Sequence, residues 1–138
     1  GGIASPLIAY WPGVVAADNS VSAETAHIMD IAATCLDVAG AAYPPTFEGR
    51  NVQPLAGRSL LAILKGGRRK PHPSLCWATS GARAARVGSW KLVSPKGGPW
   101  ELYDLATDRT ELNDLASSQG DRVRELSGIF DAWNRKKP

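Results

Sequence analysis

The stretch from Arg83 to Tyr103 admits few folds. Arg83 to Val87 and Trp90 to Val93 are short apolar-rich runs separated only by Gly88-Ser89, a two-residue signal for a tight hairpin. A Gly97-Gly98-Pro99 break follows, and Trp100 to Tyr103 supplies a third strand. Beyond it, Asp104, Thr107, Asp108, Thr110, Asn113 and Asp114 carry short polar side chains that bond to nearby backbone, which favours turns and helix starts over strand. With Ser74 to Thr79 upstream, about four strands suit an antiparallel sheet. Val123, Leu126, Phe130 and Trp133 recur at the spacing of one helix face, so a closing helix, capped by Ser118 or Asp121, packs on that sheet.

The first half of the chain reads differently. Pro6 to Trp11 is a nearly continuous apolar run, as in a strand buried on both faces of a mostly parallel sheet, and Pro12-Gly13 ends it. From Ala23 to Ala39 apolar residues recur at Ile28, Ile31, Ala32, Cys35, Leu36 and Ala39, which is one helix face. Ser22 suits its start, Glu24 its positive end and Gly40 its close. Tyr43 to Arg58 is proline-bearing and aperiodic, a surface connection, and Ser59 to Lys65 reads as a short helix stopped by Gly66-Gly67.

Composition narrows the function classes. The 138 residues are 43% apolar and 21% charged, enough for a packed core and unlike a disordered chain. No apolar run approaches the ~18 residues of a membrane span. The net charge of +3 comes with Arg68-Arg69-Lys70 beside a Gly pair and with Arg135-Lys136-Lys137 at the end, a solvated loop and a frayed terminus. No helix carries a basic stripe with interleaved aromatics, so nucleic acid and membrane are not expected partners. Cys35 and Cys76 sit in apolar runs and read as free buried thiols.

The hairpin, the Glu101-Leu102-Tyr103-Asp104-Leu105 strand and the Asp108-x-x-Glu111-x-Asn113-Asp114-Leu115 loop together resemble the C-terminal subdomain of the sulfatases. These are the sulfuric ester hydrolases of the alkaline phosphatase superfamily. Gly1-Gly2-Ile3-Ala4-Ser5-Pro6-Leu7-Ile8 with Trp11-Pro12-Gly13 resembles the family's Gly-Gly-Ile-Arg-x-Pro-Leu-Ile strand and turn, with Ala4 where Arg is usual. His27-x-x-Asp30-x-x-x-Thr34-x-Leu36 resembles a family helix, with Ala33 where Pro is common, and Gly57-Arg58-Ser59-Leu60-Leu61 is a further match in the same order. The implied fold is α/β, the C-terminal part of an alkaline-phosphatase-like sandwich. Residues 1–57 would hold the last strand and helix of the large α/β domain plus a connection, and 58–138 the antiparallel-sheet subdomain with its closing helix.

The resemblance also says what to look for. The family nucleophile is a formylglycine made within a Cys/Ser-x-Pro-x-Arg motif; Cys35 is followed by Leu-Asp-Val-Ala and Cys76 by Trp-Ala-Thr-Ser, and neither fits. Calcium ligands, catalytic His residues and a Lys would precede Gly1 in the family's order. The chain is therefore read as a C-terminal fragment, inactive alone, whose partners are a missing N-terminal catalytic domain and, in the parent, a sulfate ester; a periplasmic or secreted setting fits that parent. In the family, the strand before the hairpin carries a Trp-Glu-His-like cluster near the active-site mouth and the next begins Gly-Asn-Arg-Ala. Here Trp77 and Arg83 match, as candidates for the substrate-cleft rim. His27, Asp30 and Thr34 share one helical face, as a partial ligand set or as a polar face bonded to a neighbouring loop; two ligands are too few for a metal, which favours the loop. The isolated fragment is expected to self-associate through Pro6 to Trp11. Two other readings stay open: a non-catalytic interaction module, and a fragment of a phosphate or phosphonate ester hydrolase of the same superfamily.

Overall fold

The computed structural model describes residues 5–16 and 21–136, and the start of the first matched segment, Gly1 to Ala4, lies outside the described residues. The chain forms two compact units, Gly2–Pro71 and His72–Pro138.

In the first unit, Pro6 to Trp11 is not a strand. A strand takes its hydrogen bonds from a neighbour, and no described segment pairs with it. Leu7, Ile8 and Tyr10 are 58%, 91% and 89% exposed. Helix α1, Met29–Ala39, starts well after the expected Ala23, because the His27 N–H donates to the Asp30 carboxylate at 2.8 Å and fixes the entry there. Ser22 instead accepts from the Glu24 N–H at the exposed surface. The helix closes as expected, Gly40 N–H donating to Asp37 O and Ala41 N–H to Leu36 O, a Schellman arrangement. Within the connection, β1 (Thr46–Phe47) and β2 (Arg50–Asn51) form a small hairpin. One helical turn, α2, spans Leu61–Leu64.

The apolar stripe of α1 does not face inward. Only Asp30 and Ala33 are buried in this helix, while Ile28 is 75%, Ile31 42% and Val38 45% exposed. Cys35 is exposed as well, which corrects its reading as a buried thiol. What the helix buries is its polar face. Asp30 accepts from the backbone N–H of Arg58 at 2.8 Å and from the Arg69 guanidinium at 2.9 Å; the Thr34 hydroxyl donates to Asp30 O and accepts from Leu60 N–H. Gly57 is required at this seam, since a Cβ there would stand 2.0 Å from Met29 O. Arg69 donates further to Arg58 O and Thr25 O, with its side chain 5% exposed. It is a buried cross-brace, not the solvated loop charge expected from its neighbours.

The second unit is an antiparallel meander with strand order β3-β4-β5-β6: β3 Leu75–Thr79, β4 Ala82–Val87, β5 Trp90–Ser94 and β6 Glu101–Asp104. The hairpin at Gly88-Ser89 forms as expected, with Gly88 at φ 58° in the position a type II′ turn reserves for glycine. Helix α3, Gly120–Asn134, packs on one sheet face through Leu126 and Phe130, with Val123 partly buried. Its N-cap is Gln119 without a side-chain cap bond, so neither Ser118 nor Asp121 serves; Ser118 donates to Leu115 O instead. Leu92, Leu102 and Leu126 are fully buried and centre the core, and Trp100 meets Phe130 edge-on at 5.7 Å. Asp114 stitches the following loop to β6, accepting from Leu102 N–H and Ala116 N–H.

Candidate functional site

The β3–β4 register decides what the two rim candidates can do together. Trp77 stands opposite Ala84, and Arg83 opposite Ala78. Opposed residues share a face and consecutive ones alternate. Trp77 and Arg83 therefore leave the sheet on opposite faces, and the structure does not bring them together.

Arg83 takes the α3 face with Ala85, Val87, Trp90 and Leu92, as the pairings Ala85↔Leu92 and Val87↔Trp90 require. Its guanidinium lies over the Trp100 ring, 4.2 Å from the centroid. A shallow depression of about 370 Å³ opens there, lined by the Thr79-Ser80-Gly81 turn, Arg83, Phe130 and Asn134. The turn's geometry, Ser80 at φ 43° and Gly81 at φ 84°, is the tight two-residue type that closes β3 onto β4. Trp100, a core or rim anchor by sequence, packs against Phe130, and its position beneath Arg83 follows from sheet packing that no local motif records; Asn134 carries no sequence signal.

Trp77 shares its face with Ala84, Lys91 and Tyr103. The Lys91 ammonium donates to both Glu111 oxygens at 2.6 Å and its side chain is 5% exposed, a paired buried charge. The Tyr103 hydroxyl donates to Glu101 at 2.8 Å. Burial first, and then the Glu101 bond and neighbouring carboxylates, push the phenol up to about 12. Asp108 is held below the usual carboxylate range by backbone N–H donors, that of Asn113 foremost. Burial, with Arg109 nearby, lowers Arg86.

Burial pushes the Cys76 thiol up, away from thiolate character. Among the described residues no three His, Cys, Asp or Glu side chains come together as a metal site requires. Asp30 spends its oxygens on N–H donors, so the His27, Asp30 and Thr34 face is the loop-bonded one. Among the described residues no set of side chains fits calcium, and neither Cys35 nor Cys76 stands in the sequence context of a formylglycine. No helix of the described residues is long and apolar enough to cross a membrane.

No protein-family model matches the sequence. An uncharacterized sulfatase of Schizosaccharomyces pombe is 35% identical over 133 residues, which is 91% of this chain and 24% of that protein. Arylsulfatase K of Danio rerio is 28% identical over 135 residues, again 91% of this chain and 24% of the relative. Among solved structures, a sulfatase of Bacteroides thetaiotaomicron, from a locus for metabolism of multiple glycosaminoglycans, superposes with a TM-score of 0.60 at 21% identity, covering 78% of this chain and 24% of the other. The chain spans about a quarter of the length of these relatives. The solved structure agrees with the fold, and the sequence likenesses show that the chain belongs to the sulfatase family and matches the C-terminal quarter of these relatives.

Proposed function

We propose that this chain is the C-terminal part of a sulfuric ester hydrolase, inactive by itself, which completes the large domain's sheet and supplies one wall of the substrate cleft. The observation that carries the reading is the inverted helix α1, with its aspartate buried and its Ile28, Ile31, Cys35 and Val38 stripe exposed. Apolar side chains at that spacing gain from being covered, by about 25 cal/mol per Å² removed from water. The occupant is the preceding three quarters of the parent enzyme, which relatives four times as long possess. Residues 1–57 belong with that large domain and 58–138 supply the subdomain, although the 58–71 segment packs on α1 within the first compact unit. Formylglycine and calcium, if the parent uses them, are held in that upstream part. Arg83 faces the cleft; Trp77, on the other sheet face, supports the wall from behind. Freed from the parent, the chain self-associates at α1 and at Leu7, Ile8 and Tyr10.

The test replaces the matched quarter of zebrafish arylsulfatase K with this chain. The isolated chain shows no aryl sulfate turnover with added calcium, the relative lacking its quarter shows none, and the chimera regains it. Ile31→Asp in the chimera abolishes recovery, and in the isolated chain the same change shifts sedimentation toward monomer. Turnover by the isolated chain that a point mutation within it removes would overturn the reading, as would a chimera indifferent to Ile31→Asp.

A further inference from the structure

Arg86 sits where a hairpin ordinarily avoids a second cation. It stands directly opposite Lys91 in the β4–β5 ladder, one pair inward from Val87 and Trp90, which close the two-residue turn. Bonded and non-bonded pairs alternate along an antiparallel ladder, so Arg86 and Lys91 form the non-bonded pair, whose side chains lie closer. Like charges in that position repel and destabilise a sheet. Lys91 has its counter-charge, since its ammonium donates to both Glu111 oxygens at 2.6 Å. Arg86 is half-buried and joins no ion pair among the described residues.

A third cation makes the repulsion worse. Arg109 stands two residues before Glu111, in the loop that Lys91 holds, and it too joins no ion pair among the described residues. Burial, and then the charge of Arg109, lowers Arg86, and no carboxylate raises it in return. Asp108, beside Arg109 in sequence, commits its oxygens to the Leu112 and Asn113 N–H groups and the Thr110 hydroxyl. The Arg86 Nε–H donates to Gly88 O at 2.9 Å, which fixes the guanidinium plane at the hairpin end and leaves its Nη donors for another acceptor. Two arginines kept together without an anion favour a ligand that relieves both charges at once. A carboxylate brings one charge and two oxygens. A phosphate head brings about −1.5 to −2 at pH 7 and three acceptor oxygens on one centre, so it can meet two forks together. We infer that Arg86 and Arg109 form a binding site for a phosphate dianion, free or as the head of a small monoester, on the sheet face away from α3. The site lies on the face opposite Arg83 and does not rest on the function proposed above.

The test titrates the isolated chain at constant ionic strength, above neutral pH, and follows the Arg86 Nε–H in nitrogen–proton spectra. The probes are methyl phosphate, inorganic phosphate and methyl sulfate, the last having the same shape as methyl phosphate with one charge fewer. Both phosphates move the signal saturably, and methyl sulfate binds at least roughly tenfold more weakly. If inorganic phosphate binds the tighter of the two, the free ion is the ligand; the reverse order assigns the ester. Arg109→Gln weakens phosphate binding roughly ten- to hundredfold, as loss of a charged hydrogen-bond donor does, while Arg135→Gln leaves it unchanged. Phosphate raises the thermal midpoint of the parent chain and not that of Arg109→Gln. Without ligand, Arg109→Gln does not lower the midpoint, because it removes a like charge and no partner. Methyl signals of Leu92, Leu102 and Leu126 report whether Arg86→Gln is folded; if it is not, the exposed Arg109 carries the comparison. Methyl sulfate binding within about threefold of methyl phosphate overturns the assignment, as do phosphate binding that survives in Arg109→Gln and a loss of stability in that variant without ligand.

Discussion

Replacing Asp30 by Ala should loosen the whole first unit. The carboxylate is fully buried and accepts from the His27 and Arg58 backbone N–H groups and from the Arg69 guanidinium. Removing it strands a guanidinium whose side chain is only 5% exposed and whose Nε already lacks a partner. Breaking a buried pair from one side costs about 3–5 kcal/mol, because the remaining charge stays desolvated. At about 1.4 kcal/mol per decade, hydrogen-exchange protection of the α1 amides should fall roughly a hundred- to several-thousandfold. Exchange suits the question better than a global melt, since it reads α1 apart from the β-meander. Asp30→Leu combined with Arg69→Met should recover much of the loss, since an apolar pair leaves no unpaired charge. Protection within about threefold of the parent chain in Asp30→Ala would refute the reasoning, for it would mean that the network contributes nothing to opening.

Gly57→Ala should open the same seam without touching any charge, because its Cβ would overlap Met29 O at 2.0 Å; exchange at the Arg58 and Leu60 amides reports it. Leu126→Ala should lower the unfolding free energy of the second unit, read from its urea melt, by about 2–5 kcal/mol, the cost of truncating a fully buried leucine, and Leu112→Ala, 79% exposed, should not. Tyr103 titrates at about 12 against 10.0 for a free phenol; a raised folded value stabilises fully below the unfolded value and is lost as pH rises from about 10 to 12, which phenolate absorbance and alkaline melts will show. Exposed Cys35 should react with a thiol reagent well before Cys76, whose thiol burial pushes up; equal rates would contradict the half-buried placement of Cys76.

The second unit was largely legible because its signals are local. Alternation around Gly88-Ser89 and the spacing of Val123, Leu126 and Phe130 fix both the hairpin and the helix face. Counting outward from the Ser80-Gly81 turn pairs Ala78 with Arg83, which separates Arg83 from Trp77. In the first unit the periodicity of α1 was real but its direction was not recoverable, since a pattern says which residues share a face and not what covers it. The burial of Arg69 is hidden in the sequence for the same reason, as its partner lies 39 residues away. The strand expected at Pro6 to Trp11 needs neighbours that the described residues do not include.

The connectivity of the meander has a kinetic consequence. Every neighbouring pair of strands in the four-stranded sheet is also consecutive along the chain, so each pairing closes only a short loop. The Asp30 network instead joins residues 28, 39 and, through Arg69 and Thr25, 44 positions apart. Low contact order speeds folding, and distant pairs bring no reward until their loop entropy is spent. The β-hairpins should therefore form first, with α1 locking onto the Gly57 to Leu60 segment in a later and slower phase, which stopped-flow exchange labelling of the Leu92 and Arg58 amides would resolve in time.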